Sequence, residues 1–263
     1  MKRALGIFLA LLALCFVLPA DAETARDDAE TLRNALQDEY GITILMGKEC
    51  ADYTLEGHEF RIVTPGYTPF LRMTAGNKRF TELLEIMDES FAAYPPDFFS
   101  RFMTKKYPEN MRFLLVDEIT GKKGMPFDGV QTMGNKRYDI IIARTGNSCA
   151  LIHHEIWHAM EIRIGLGKPG DFRTWKSLNP GGFKYTKNYA SESGNSAEEE
   201  PKDWFVREYS KTFETEDRAT VFEAIMTKDE AWWSSRPHLQ KKAKYLRRRY
   251  EPVFGEIGGA GSY

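Results

Sequence analysis

The chain has 263 residues and a nearly balanced charge, with 36 Lys and Arg against 38 Asp and Glu and a formal net charge of −2. This balance gives no reason to expect nucleic acid as a partner, because nucleic-acid binding needs a concentrated positive charge. The longest apolar run has about fifteen residues, which is short for a membrane-spanning helix. We therefore expect no stable membrane anchor.

The N-terminus has the three regions of a secretory signal peptide. A basic start precedes the apolar run, and a small-residue stretch follows that run up to Ala22. The sequence predicts a signal peptide over residues 1–22, cleaved after Ala22, and a secreted or periplasmic protein. Disulfides persist in such compartments. Cys50 and Cys149 therefore either form one bridge or are two buried thiols.

Hydrophobic periodicity predicts an alternation of helices and strands along the first half of the chain. Helices are predicted over residues 25–39, 78–93 and 97–103, and strands over residues 42–46, 60–64, 111–116 and 138–143. The strand over 60–64 is expected to pair with the strand over 42–46. The order fits an α+β class with a mixed N-terminal sheet. We expect one domain with two lobes, an α/β part over 23–146 and a mainly helical part over 147–263.

The helix predicted over residues 147–164 carries the pattern H-E-x-x-H at His154, Glu155 and His158. Residues four apart lie on one face of a helix, so His154 and His158 can both direct a ring nitrogen at one Zn²⁺ ion. Glu155, one position round, can act as general base toward a water at the metal. His153 faces elsewhere and is expected to be a core residue. The pattern predicts a zinc hydrolase.

The strand predicted over residues 138–143 lies just before this helix. In zinc peptidases such a strand borders the cleft and pairs with an extended substrate, so the segment is our candidate edge strand. An ordinary core strand is the alternative.

The segments after the helix are more polar. Residues 191–201 are acidic and rich in Ser, which predicts a solvated linker, with a lid over the cleft as the alternative. Near the C-terminus an apolar stripe of Leu239, Ala243, Leu246 and Tyr250 predicts an amphipathic helix. Its other faces are predicted to be solvated and carry Lys241, Lys242, Lys244, Arg247, Arg248 and Arg249.

A catalytic zinc needs a third protein ligand besides the two histidines. The metzincin pattern is excluded, because Glu161 and Ile164 stand where it requires Gly and His. His58 and His238 do not lie in segments that resemble a second ligand helix. A downstream carboxylate is therefore the better candidate.

A later segment offers such a carboxylate at Glu216. Thr215 is predicted to cap a helix that begins at Glu216. Glu216, Thr220 and Glu223 share one face of this helix, so Glu216 can bind zinc while Glu223 orients a ligand histidine. The alternative is an acidic first turn favoured by the helix dipole.

The pattern of an H-E-x-x-H helix followed by Tyr209, six residues and Glu216 resembles the zincin arrangement of the anthrax lethal factor catalytic domain. The chain is also similar to secreted bacterial zinc metallopeptidases with a His-His-Glu helix and a later Glu-Asp-Arg-Ala helix. The resemblance covers residues 153–160 and about 204–226. It departs from lethal factor at Thr220, where that family has an acidic residue that supports the site.

This resemblance implies a zincin-like fold, with His154, His158 and Glu216 as zinc ligands. It also implies Glu155 as the base and Tyr209 as a hydroxyl that faces the zinc.

The function expected from these residues is that of a secreted zinc-dependent metallopeptidase acting on a peptide or protein. Glu155 would deprotonate a zinc-activated water, and Tyr209 would stabilise negative charge on the former carbonyl oxygen. The alternative is a secreted zinc-binding interaction protein whose site is structural or inactive. A fourth protein ligand, such as Asp217 or His238, would favour that alternative. Otherwise Asp217 is predicted, together with Glu223, to support the ligands from an outer shell.

Overall fold

The computed structural model describes most of the chain outside the N-terminus and the predicted linker. The described residues are 20–53, 61–63, 71–121, 126–134, 136–166, 169–188 and 203–258. Residues 1–19 of the predicted signal peptide, His58 and the predicted linker over 191–201 lie outside them. Within these ranges, no helix is both long and apolar enough to cross a membrane.

Helices and strands follow one another in the order expected for an α+β protein. The helices are α1 (Ala20–Tyr40), α2 (Leu71–Phe91), α3 (Cys149–Arg163), α4 (Pro169–Lys176), α5 (Glu214–Thr227), α6 (Glu230–Ser234) and α7 (Pro237–Phe254). The strands are β1 (Thr43–Met46), β2 (Arg61–Val63), β3 (Arg112–Val116), β4 (Glu118–Thr120), β5 (Pro126–Phe127), β6 (Gly129–Met133) and β7 (Tyr138–Ala143). A mixed sheet thus precedes a mainly helical C-terminal part, which confirms the predicted class.

The main sheet has the strand order β1-β3-β7-β6. β1, β3 and β7 are parallel, and β6 is antiparallel to β7. Side chains of a strand alternate between two faces. Phe113 and Ile140 accordingly belong to the large core that also contains Ile156 of α3, whereas Leu114 and Ile141 belong to a smaller core on the opposite face. The sheet therefore supports α3 on one face only.

The segment predicted as the edge strand is an interior strand instead. β7 lies between β3 and β6, and all six of its residues are buried. The alternative of an ordinary core strand was right, because a run of apolar residues without alternation is typical of a strand covered on both faces. β6, which was not singled out from the sequence, is the edge strand beside α3.

The predicted pairing of the strand over 60–64 is also wrong. β2 does not join β1 but pairs antiparallel with β4, with Ile62 opposite Ile119. β2, β4 and β5 form a separate sheet of three short strands. The predicted helix over 97–103 is a short 3₁₀ helix, Phe99–Phe102, within the aromatic part of the large core.

Local capping sets the start of α3 but not that of α5. Ser148 caps α3 by accepting a hydrogen bond from the Leu151 backbone N–H, and the chain leaves the helix through Gly165 at a positive φ of 70°. α5 begins at Glu214 rather than Glu216. The predicted cap by Thr215 is therefore wrong, because Phe213 holds that position without a side-chain hydrogen bond.

α7 buries the predicted apolar stripe, which confirms the helix and its inner face. Lys241, Lys244 and Arg248 are exposed as predicted. Lys242 is not, since it is fully buried and forms an ion pair with Asp217. The prediction of a solvated charged face is therefore wrong at Lys242, and Arg247 and Arg249 are partly buried.

Cys50 and Cys149 are free thiols, so the bridge that the sequence left open between them is not formed. Cys50 lies in the small core and contacts the carbonyl oxygen of Leu115. Cys149 begins α3 and contacts the carbonyl oxygen of Ile86. The two side chains thus have different neighbours, and burial raises the pKa of each thiol.

Candidate metal centre

α3 carries the two histidines on the face that turns toward α5. Its residues are buried almost all round, because the helix contacts α2, α5, β6 and β7. Ile152, Ile156 and Met160 recur at four-residue spacing and anchor it in the large core. His153 faces away from the pair, as expected, and its Nδ1 lies 2.7 Å from the Tyr94 hydroxyl oxygen.

The first turn of α5 brings Glu216 to the two histidines. The ring nitrogens His154 Nε2 and His158 Nε2 are 3.3 Å apart. Glu216 Oε2 lies 3.1 Å from His154 Nε2 and 3.4 Å from His158 Nε2. Residues 62 positions apart in the chain thus meet in one cluster of potential metal ligands.

These separations fit a zinc ion. Zinc binds His nitrogen and carboxylate oxygen at about 2.0–2.1 Å in tetrahedral geometry, which sets neighbouring ligand atoms about 3.3 Å apart. The three observed edges of 3.1, 3.3 and 3.4 Å match this value. Three lone-pair donors of the type that zinc prefers therefore converge on one point.

The electrostatics of the cluster favour a cation. Burial alone would lower the pKa of His154, but the carboxylates of Glu216 and Glu223 outweigh it and raise that pKa to about 9. Burial is likewise outweighed at His158, whose pKa is raised by the charge of Glu216. Burial would raise the pKa of Glu216, but the histidines hold it well below its usual range. The buried carboxylates thus stabilise positive charge at this point.

Glu155 lies beside the cluster with an unsatisfied carboxylate. Its Oε2 is buried and has no hydrogen-bond partner among the described residues. Burial raises the pKa of Glu155, although His154 and His158 oppose the shift, and a backbone hydrogen bond from Gln131 opposes it further. An unpartnered buried oxygen is costly unless a ligand or water uses it, which is typical of functional sites.

The backbone of β6 approaches this carboxylate closely. A Cβ atom at Gly129 would lie 2.7 Å from Glu155 Oε1, a separation that real Cβ atoms essentially never show. Only glycine lets the edge strand come this near. Neither Gly129 nor Gln131 was predicted from the sequence, although a glycine inside a strand-like run can signal such an approach.

Glu223 and Arg207 lie behind His154. Glu223 Oε2 is 3.4 Å from His154 Nδ1, and Arg207 Nη1 donates to Glu223 Oε1 at 2.5 Å. Burial would raise the pKa of Glu223, but Arg207 and His154 lower it, so the carboxylate stays charged. The Thr220 hydroxyl shares a hydrogen bond with the Ser210 hydroxyl, and the two oxygens are 2.8 Å apart. Arg207 was missed, because no spacing rule links it to Glu223.

Tyr209 lies at the rim of the cluster in the 3₁₀ helix Glu208–Lys211. Its ring centroid is 6.0 Å from that of His154. The Arg207 guanidinium carbon is 5.9 Å from the same ring. The side chain is partly exposed. Tyr209 thus belongs to the wall of the site next to His154.

Asp217 and His238 do not join the cluster. The Asp217 carboxylate accepts hydrogen bonds from Lys242, Trp175 and Tyr185 and makes none with His154 or His158. The predicted role of Asp217 in an outer shell is therefore not one of direct contact with His154 or His158, and it stays a prediction. Burial raises the pKa of Asp217 and lowers the pKa of Lys242, although the opposite charge of the partner opposes each shift. His238 stacks on Trp204 with ring centroids 3.5 Å apart.

No protein-family model and no curated protein matches the chain. Among solved structures, it is similar to one from Bacteroides caccae that is described as a "putative zinc-binding metallo-peptidase". That match covers 89% of both chains, at 14% sequence identity and a TM-score of 0.48. A similarity of this degree does not assign the chain to a family.

Proposed function

We propose that this protein is a secreted zinc-dependent metallopeptidase of zincin-like fold, which hydrolyses peptide bonds in peptides or proteins. One observation carries the proposal. His154, His158 and Glu216 converge in a buried cluster at the separations of tetrahedral zinc ligands, beside the unpartnered Glu155 Oε2. Three protein ligands with a general base next to them are the composition of a catalytic zinc site.

The number of ligands favours an enzyme over a protein with structural zinc. Structural zinc is closed by four protein ligands, whereas catalytic zinc keeps one position open. Within the described ranges, the cluster comprises three ligand residues. Asp217 and His238, which would have served as a fourth, are engaged with Lys242 and with Trp204. We therefore prefer the peptidase to the alternative of a secreted interaction protein.

The proposed chemistry is general base catalysis by Glu155. When bound, zinc supplies Lewis acidity that makes a water more acidic and polarises a carbonyl group. Glu155 accepts the proton of the attacking water with its unpartnered Oε2. It then delivers that proton to the amine nitrogen as the C–N bond breaks. Glu223, held by Arg207, keeps the ring of His154 oriented through Nδ1.

Tyr209 is proposed to stabilise the transition state. Its ring lies 6.0 Å from that of His154, and its side chain reaches solvent at the rim of the site. The hydroxyl would donate a hydrogen bond to the carbonyl oxygen as this oxygen gains negative charge. Such a bond is stronger in the transition state than in the ground state, so it accelerates the reaction.

We propose that an extended substrate pairs with β6. β6 bonds β7 on one side, and no described strand pairs with its other side. An edge strand can bind an extended peptide by β-augmentation. The close approach of Gly129 to Glu155 would bring the scissile bond of such a peptide near the general base.

Metal analysis and a cleavage assay test this function. Purified protein is expected to hold one zinc per chain and to cleave members of a peptide library. A chelator should abolish cleavage, and added zinc should restore it. Cleavage that persists after complete removal of metal would contradict the proposal.

Secretion has a separate test. N-terminal sequencing of protein recovered from outside the cytoplasm is expected to begin at Glu23, because cleavage is predicted after Ala22. Retention of Met1 in that material would contradict this part of the proposal.

A further inference from the structure

Three consecutive charged residues near the start of α5 face three different neighbours. Glu216 faces the histidines of α3, Asp217 faces Lys242 of α7, and Arg218 faces Glu161 of α3. Successive residues of a helix are rotated by about 100° from one another. The start of α5 is therefore attached at two buried ion pairs, which are made by the two residues that follow Glu216.

The Asp217–Lys242 pair is completely buried and completely hydrogen-bonded. Lys242 Nζ lies 2.9 and 2.8 Å from the two oxygens of Asp217, and both side chains have 0% exposure. Asp217 also accepts hydrogen bonds from Trp175 Nε1 and the Tyr185 hydroxyl. The third donor of Lys242 bonds the Trp204 carbonyl oxygen at 2.8 Å. The pair thus joins α5 to α7, to α4 and to the segment before Tyr209.

The Glu161–Arg218 pair attaches the start of α5 to α3, the helix that carries the two histidines. Both side chains are buried, and they are joined by a short ion pair. Glu161 also accepts a hydrogen bond at 3.2 Å from Nε1 of Trp157, the residue before His158. The Arg218 guanidinium carbon lies 5.8 Å from the Trp175 ring, so the two pairs share a neighbour. α5 is therefore held at a fixed height and rotation relative to α3.

We infer that these two buried ion pairs position Glu216 against His154 and His158. Buried ion pairs add little to stability compared with apolar groups of similar volume, because desolvation offsets their attraction. They instead fix the relative position and orientation of the helices, because each hydrogen bond sets a distance and an angle. Ligands of a metal site must be held within about 0.5 Å of their productive places. Asp217, Lys242, Glu161 and Arg218 are thus positioning residues.

The inference rests on the proposed zinc site and is tested by metal binding rather than by activity. The double substitution Asp217→Leu with Lys242→Met replaces one pair by apolar groups of similar volume. We expect the metal-free variant to fold and its zinc Kd to rise by about 10–100-fold, the cost typical of residues that orient ligands. Kd is measured by competition with a chelator, and folding by the thermal unfolding midpoint without metal. The visible spectrum of bound Co²⁺ should change as the geometry relaxes.

A second ion pair of the chain, in which Asp139 is buried and Arg112 is partly buried, provides the control. Arg112 and Asp139 lie in the main sheet, joined at 2.8 Å, and bond no residue of α5. Arg112→Met with Asp139→Leu is expected to leave the zinc Kd within about twofold of the wild-type value, since distant sites act independently.

Each outcome decides the inference. A folded Asp217→Leu/Lys242→Met variant that binds zinc as tightly as the wild type would overturn it. Asp217→Asn, which keeps the shape of the side chain, should weaken zinc binding in the same direction by a smaller factor. Loss of folding in both variants would assign the pair to stability and would also overturn the inference. A wild-type protein that binds no zinc would instead overturn the proposed function.

Discussion

α3 and α5 both contribute to the metal cluster, but they reach it in different ways. α3 supplies His154, Glu155 and His158 from little more than one turn, and helical spacing alone sets their relative places. α5 supplies only Glu216, whose neighbours Asp217 and Arg218 are held by ion pairs with other helices. The contribution of α3 is therefore local, whereas that of α5 depends on tertiary contacts. Substitutions in the two regions should differ accordingly.

The largest effect is expected for a ligand in α3. His154→Ala leaves two protein ligands, which cannot complete a zinc site, so both zinc and cleavage should be lost. The zinc Kd should rise by more than the roughly 10–100-fold typical of an outer-shell substitution. Chelator competition measures this. As a control, His238→Ala, which removes a ring stacked on Trp204 rather than a ligand, should retain zinc. A His154→Ala variant that keeps its zinc would contradict the ligand assignment.

A substitution of Glu155, the proposed general base on α3, should affect catalysis without affecting metal binding. Glu155→Gln keeps the shape of the side chain but cannot accept the proton, so kcat should fall by about 10²–10⁴-fold. Zinc content should not change, because Glu155 is not a ligand in the cluster. Steady-state kinetics and metal analysis of the same sample test both statements. Normal turnover in this variant would rule out the base.

A substitution of Tyr209, which lies in the segment before α5, tests whether its hydroxyl stabilises the transition state. Tyr209→Phe removes only the hydroxyl, so kcat should fall by about 10²–10³-fold, as for loss of one oxyanion donor. KM and zinc content should change little, because the interaction is made in the transition state. Undiminished kcat would show that Tyr209 serves only packing.

A substitution of Glu223 tests whether this α5 residue supports zinc binding through its contact with His154. Glu223→Gln weakens its contact with His154 Nδ1, and we expect the zinc Kd to rise by about 10–100-fold. Glu208→Gln is the matched control, because this exposed carboxylate forms an ion pair with Lys211 and is not part of the His154, His158 and Glu216 cluster. Equal zinc affinity in the two variants would remove Glu223 from the site.

The smallest effect is expected at the edge strand. Gly129→Ala forces β6 or Glu155 to move, because the added Cβ would lie 2.7 Å from Glu155 Oε1. We expect kcat to fall by about tenfold with zinc retained, less than the ~100-fold cost of a 1 Å misplacement. Gly181→Ala, where an added Cβ meets nothing within 4 Å, is the control. Equal kcat in both variants would contradict a close approach at Gly129.

The sequence predicted α3 and the places of its histidines because both depend on local spacing. It also offered Glu216 from spacing on α5, although it misplaced the start of that helix. Lys242 was assigned to the solvated face since lysine is rarely buried. Its burial depends on Asp217, which lies 25 residues away in the chain. No local pattern carries that information.

The sheet was predicted less well than the helices for a related reason. Strand propensity located β3 and β7, but strand order is set by packing between distant segments. β7 was therefore proposed as the edge, although the close approach to Glu155 is made by β6. Arg207 was missed because it acts on Glu223 across a distance of 16 residues in the chain.

The coordination of zinc in the loaded protein tests the central claim most directly. Anomalous diffraction at the zinc edge locates the metal, and X-ray absorption counts its ligands. We predict one zinc bound by His154 Nε2, His158 Nε2 and a Glu216 carboxylate oxygen, with a water in the fourth position. Zinc bound by four protein side chains, or at a place other than this cluster, would contradict the account.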